Sequence, residues 1–298
     1  MLQSNQPAPL NQTGEATPTY IFETYSDRER LYVQFEMMKE VFNLKLDEAL
    51  RKAEIEVGPE AQFKLLDAGC GEGLFSAEII RRFPKAEVIG FDRDPEAVMT
   101  ATMFASSMGN VHFFNHDALQ PIPQGVQAGS GEIAAGNFDV AVAWLLLMHV
   151  RPVEQAIQNL KDTLRPGGTI FLHDGPEDWA TFPHPSFEAL MAAMAQAGRY
   201  ISSFDFAYRQ AEYLEKAGFE QIESVVLENA LGGRTSQGQR GFSHMIATFE
   251  SARSGLVDKL KFLSGAEFDE HIRRIKTECT VEQEGIGRSV FTTARKPF

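Results

Sequence analysis

Cysteine is nearly absent: Cys70 and Cys279 are the only two in 298 residues. They stand far apart in the chain, so no disulfide framework holds this fold, and the usage is that of a reducing, cytoplasmic compartment. Basic residues are also scarce. Lys and Arg number 28 against 41 Asp and Glu, a net charge of −13, which argues against nucleic acid or an anionic membrane as partner, because both require a basic footprint. The densest basic cluster, Arg273, Arg274 and Lys276, lies among acids at helical spacing and is expected on a solvated face. There is no apolar run of about 18 residues, the length a membrane-spanning helix needs, and the N-terminus lacks the basic-then-apolar order of a secretory leader. A cytoplasmic protein is predicted, with no metal site.

What is present concentrates in residues 63–75, Phe-Lys-Leu-Leu-Asp-Ala-Gly-Cys-Gly-Glu-Gly-Leu-Phe. An apolar run of strand length ends at Asp67 and passes into Gly69, Gly71 and Gly73. Glycine tolerates positive φ and close backbone approach, so a glycine turn between strand and helix brings amide groups beside a ligand. The dinucleotide fingerprint G-x-G-x-x-G does not fit, since Leu74 or Ser76 occupies the sixth position in the two registers. Asp67 ahead of the turn would repel a pyrophosphate and suits a ligand bearing positive charge.

Asp67-Ala68-Gly69-Cys70-Gly71-Glu72-Gly73 resembles the first motif of class I S-adenosylmethionine-dependent methyltransferases, of the small-molecule, secondary-metabolism type. Further stretches follow in the family's order: Glu87 to Asp92, Asn115-His116-Asp117-Ala118, Phe138 to Trp144 with Leu147-Met148-His149-Val150, and Leu164-Arg165-Pro166-Gly167-Gly168. The resemblance implies S-adenosylmethionine as cofactor, held by Asp67, Gly69, Cys70, Gly71, Asp92, Arg93, Asp117, Ala118 and Ala143. Asp92, ending its strand 23 positions after Gly69, is placed to accept ribose hydroxyls, the device nicotinamide enzymes use. Asp117 is expected at the adenine amino group. Asp94 before Pro95 is expected to cap a helix.

Strands alternate with helices from 63 to 173, which predicts a parallel sheet with helices on both faces. The expected fold is a Rossmann-like, seven-stranded, mostly parallel α/β sheet. The expected organisation is a disordered tail over 1–18, an N-terminal helical cap over 19–60, a core over 61–228, a helical lid inserted over 229–286 and a last core strand over 287–298. The glycine-containing stretch 120–136 is expected to be a surface loop.

Methyl transfer from a sulfonium leaves a neutral thioether, so positioning in a water-poor pocket can carry catalysis and a base is needed only if the acceptor carries a proton. His149 and His173 are the candidate bases. Tyr20, Tyr25, Trp144 and Asp174 are candidate acceptor contacts. Aromatic and methionine residues over 182–262, from Phe182 to Phe262, point to a hydrophobic or aromatic acceptor. The expected activity is methyl transfer to such a small molecule, on O, N or C, with a homodimer as the candidate assembly. Non-methylating use of the cofactor by a cyclase or scaffold stays open, as does a protein or RNA methyltransferase, although an Asn-Pro-Pro-Tyr motif is missing after the fourth strand.

Overall fold

The computed structural model describes residues 26–105, 107–123, 126–128, 131–133, 137–201 and 205–298. In chain order the elements are α1 (Ser26–Lys52), β1 (Lys64–Ala68), α2 (Leu74–Arg82), β2 (Glu87–Asp92), α3 (Pro95–Ala105), β3 (Val111–Asn115), β4 (Val126–Ala128), β5 (Gly131–Ile133) and β6 (Phe138–Trp144). A 3-10 turn (Leu147–His149), α4 (Val153–Thr163), β7 (Leu164–Asp174), β8 (Ala180–Thr181), α5 (Pro185–Ile201), α6 (Phe206–Lys216) and β9 (Glu220–Gly232) follow. Last come α7 (Ser236–Ser251), a π-helical segment (Ser254–Lys259), α8 (Gly265–Glu278) and β10 (Glu284–Arg295). No described helix is long and apolar enough to cross a membrane.

The chain divides into two units. Of the described residues, one unit comprises those of 34–176, 205–227 and 289–298 and holds the sheet; the other comprises those of 26–33, 177–201 and 228–288.

In the sheet unit the strands run β3-β2-β1-β6-β7-β10, and β9 pairs with β10. The pairs β2·β3, β1·β2, β1·β6 and β6·β7 are parallel, while β10 is antiparallel to β7, with Val290 opposite Asp174. Adjacent residues of each strand point to opposite faces. Leu66, Ala141, Ala143, Ile170 and Leu172 face one core with Ala156, Ile157 and Leu160 of α4 and Phe206 and Leu214 of α6. Leu65, Val140, Val142 and Phe171 face the other, with Phe42, Leu46 and Leu50 of α1, Ile79 of α2 and Phe83 just after it. Each layer is thus an amphipathic stripe closing one side of a sheet that is apolar on both, the arrangement a parallel sheet requires.

Local signals explain the ends of the elements. Asp94 caps α3: its Oδ1 accepts the Glu96 N–H at 2.9 Å. β7 begins five residues earlier than the turn Arg165-Pro166-Gly167-Gly168 suggests, because Gly167 at φ 75° makes a bulge and Val140 then pairs with Thr169. In the stretch expected to be a loop, β4 and β5 form a two-stranded antiparallel ladder; the rest of that stretch between 124 and 136 lies outside the described residues.

The second unit has its own core: Phe187, Leu190 and Met194 of α5, Met245 and Phe249 of α7, Leu256, and Phe268, Ile272 and Ile275 of α8. Helix α8 starts at a reciprocal cap, Ser264 Oγ accepting from Glu267 N while Glu267 accepts from Ser264 N at 2.9 Å. Here β8 pairs antiparallel with the opening residues of β10, Gly287 opposite Ala180. Much of the aromatic and methionine content between 182 and 262 packs in this core. Phe206 and Tyr208 belong to α6 in the sheet unit.

Candidate functional site

The strand order reverses at β1, since the chain proceeds to β2 and β3 on one side and to β6 and β7 on the other. In open α/β sheets the crevice at such a switch point, beyond the carboxyl ends of the strands, is where ligands bind. Gly69 follows β1 there and Leu145 follows β6.

Gly69, Gly71 and Gly73 all adopt left-handed φ, at 71°, 52° and 80°. Their side-chain space differs. A Cβ on Gly69 would lie 2.8 Å from Leu146 Cδ1, and one on Gly73 2.8 Å from Phe113 Cζ, whereas one on Gly71 would meet nothing within 4 Å. Two glycines therefore serve packing, and the middle one leaves open space beside its backbone. The turn is pinned from β2: the Phe91 carbonyl accepts from Gly69 N at 2.8 Å and Cys70 N at 2.9 Å.

Asp92 closes this cradle. Its Oδ2 accepts the Gly71 N–H at 3.0 Å and its Oδ1 the Asp94 N–H at 2.9 Å, each oxygen retaining acceptor capacity. Asp67 is only 3% exposed and accepts a 2.5 Å hydrogen bond from Ser76 Oγ. Burial raises its carboxyl to about 6, the Ser76 bond opposing and the charge of Asp92 adding to the rise. The Cys70 thiol is pushed far up by burial and by Asp67 and Asp92, so it stays protonated. A turn with open backbone space, the Asp92 carboxylate, and a buried Asp67 whose proton affinity is raised by burial fits a cationic nucleoside.

Asp117 is exposed, and its Oδ1 accepts from Leu119 N at 2.9 Å, a turn that fixes the corner after β3. Ala118 beside it is buried, its carbonyl accepting from Asn159 Nδ2 at 2.8 Å. Arg93 is exposed. Ala143 has no exposed surface and stands opposite Ala68 and Leu172 in the ladder. Tyr20 and Tyr25 lie outside the described residues.

The ends of β6 and β7 are more enclosed than the sequence suggests. Trp144 is buried among Phe42, Phe75 and His173, with ring centroids 5.0, 4.6 and 4.0 Å away, and its Nε1 has no hydrogen-bond partner. His173 is 2% exposed, stacked on Phe291 at 4.4 Å, and neither ring nitrogen has a partner. Burial lowers it to about 3, so it stays neutral at neutral pH. Asp174 has no exposed surface; its Oδ1 accepts from Met148 N and its Oδ2 from Gln210 Nε2, both at 3.2 Å. His173 and Asp174 thus present no surface to an acceptor. His149 is half-buried on the turn after β6, which Leu145 enters at φ 54°. Ser76, Leu145, Leu146 and Gln210 carry no signal in the sequence that marks them for the site.

Fold and cradle together define the class I, Rossmann-like S-adenosylmethionine-dependent methyltransferases. The profile of the methyltransferase-domain family matches residues 36–224, and the chain belongs to this family, whose cofactor is S-adenosylmethionine. Among curated proteins the chain is similar to the secondary metabolism regulator laeA of Coprinopsis cinerea, 29% identical over 160 residues, covering 51% of this chain and 33% of that protein. It is also similar to the malonyl-[acyl-carrier protein] O-methyltransferase of Halalkalibacterium halodurans, 26% identical over 190 residues, covering 64% of this chain and 62% of the other. The matches thus span between a third and about three fifths of the length of these relatives. Among solved structures, the YcgJ protein of Bacillus subtilis shares the fold at a TM-score of 0.50 and 19% identity, covering 86% of this chain and 99% of that one.

Proposed function

We propose that the protein transfers a methyl group from S-adenosylmethionine to a small, apolar or aromatic organic acceptor. The observation that carries this proposal is the open left-handed Gly71, bonded to Asp92 beside the buried acid Asp67. The names of the similar proteins, a secondary metabolism regulator and an O-methyltransferase of a carrier-bound acid, favour a small acceptor.

Asp92 would hold the ribose, Asp117 the adenine amino group, and Asp67 the positively charged end. When bound, S-adenosylmethionine supplies an electrophilic methyl carbon whose departure leaves a neutral thioether, so the protein needs no acid for the leaving group. The buried apolar residues beyond β6 and β7 keep water from that end of the sheet. Of the two histidines only His149 has the exposure to take a proton from an acceptor, since His173 is walled in. The cytoplasm is the location this function implies.

The test is incubation of the purified chain with labelled S-adenosylmethionine and a panel of phenols, amines and carboxylic acids. Formation of S-adenosylhomocysteine with equimolar methylated product supports the proposal; an acceptor transformed with the cofactor unconsumed would replace it.

A further inference from the structure

The turn after β6 is held from behind by two residues that no acceptor can reach. We propose that Asp174 and Gln210 are positioning residues that fix the Leu145–His149 turn against the end of β7, and through it the glycine turn; the second half of this inference rests on the cofactor site proposed above. Both side chains are fully buried. Asp174 Oδ1 takes the Met148 N–H at 3.2 Å, and its Oδ2 takes Gln210 Nε2 at 3.2 Å, so α6 clamps the acid that clamps the turn.

A second anchor runs parallel to the first. Leu145 N donates to the His173 carbonyl at 2.7 Å, and within the turn His149 N donates to the Leu146 carbonyl at 2.9 Å. Leu145 holds φ 54°, a conformation that a residue with a Cβ keeps only where its surroundings over-determine it. From within the turn, Leu146 fills the space that a Cβ on Gly69 would need. The links run in series: α6, Asp174, the turn that carries His149, Leu146, and the backbone of the glycine turn.

A buried carboxyl is costly, and Gln210 Oε1 is left without a partner beside it. Leucine is bulkier and would leave both the Met148 N–H and the Gln210 amide without partners, so the role of Asp174 is read from where the structure loosens and not from stability alone. What leucine cannot do is accept the Met148 N–H.

Hydrogen exchange of the full chain, with calorimetry of S-adenosylhomocysteine binding, tests this on Asp174→Leu, Asp174→Asn and Gln210→Leu. In Asp174→Leu the Met148 and His149 amides should exchange about tenfold faster, the loss of one hydrogen bond, while amides of the β1 and β2 strands change far less. Asp174→Asn keeps an oxygen for Met148 and should restore exchange to within about threefold of wild type. Binding should weaken in the leucine variant and recover in the asparagine one. Unchanged exchange at 148–149, or asparagine and leucine loosening the whole sheet alike, overturns the inference. If Asp174→Leu does not fold, Gln210→Leu decides by the same exchange readout. Wild type that fails to bind S-adenosylhomocysteine would sink the cofactor site and leave the exchange comparison to judge the clamp by itself.

Discussion

The Asp92 carboxylate is bonded to the backbone N–H of Gly71 at 3.0 Å, which ties the end of β2 to the open residue of the turn after β1. One side chain thereby sets both the shape of the cradle and its charge. Asp92→Ala should weaken binding of S-adenosylhomocysteine by about 1 to 3 kcal/mol, the loss of charge-assisted hydrogen bonds. Calorimetry giving an unchanged affinity would remove Asp92 from the site.

Gly71 and Gly73 should separate by phenotype. Gly71→Ala meets no atom and suffers only left-handed strain, about 1 to 2 kcal/mol, so binding should suffer more than stability. Gly73→Ala would also press on Phe113 and Ala101 and should destabilise more than Gly71→Ala does. Denaturant titration of the two variants checks the order; equal losses would mean that Gly71 is a packing glycine as well.

Asp67 predicts a pH dependence of binding. Its carboxyl is raised to about 6, so a cationic ligand favours the ionised form, and affinity for S-adenosylmethionine should rise as pH increases through about 6. Asp67→Asn should flatten that rise. A wild-type affinity that is level from pH 5 to 8 would place the positive charge elsewhere.

His173 predicts a pH dependence of stability. Its folded value, about 3, lies below the ordinary 6.5, so between those values the unfolded chain binds a proton that the folded chain does not. The contribution is fully present above pH 6.5 and is lost as pH falls toward 3. Asp67, raised, acts with the opposite sign over its own range. The His173 share is therefore read from the difference between wild type and His173→Leu in melting temperature against pH. A difference that does not change from pH 7 to pH 4 would show that the ring is not buried neutral.

If positioning dominates the transfer, His149→Ala should leave turnover within about tenfold. A fall of several orders of magnitude in a folded variant would make His149 the base.

The cofactor side of the site was legible in the sequence because its geometry is local. Strand, acid and alternating glycines sit within a few residues, and a turn needing positive φ names its own residue type at 69, 71 and 73. The parallel run of the core strands was legible from the alternation of strand and helix for the same reason. The far side was not legible, because it depends on which face of a strand end is covered. Trp144, His173 and Asp174 have the residue types of an open site, yet α1, α6 and β10 bury them through contacts with Phe42, Gln210 and Phe291, distant in sequence. The early start of β7 at Leu164 was hidden by Pro166 and Gly167, which mark a turn in isolation but a bulge when Thr169 finds Val140.

The most direct measurement is titration of S-adenosylmethionine and S-adenosylhomocysteine into the folded wild-type protein and into Asp92→Ala, followed by calorimetry. Saturable binding of both ligands by wild type, weakened in the variant, is the predicted result. A folded wild-type sample that gives no binding heat and no thermal shift at millimolar ligand would contradict the assignment of the β1 turn as the cofactor cradle.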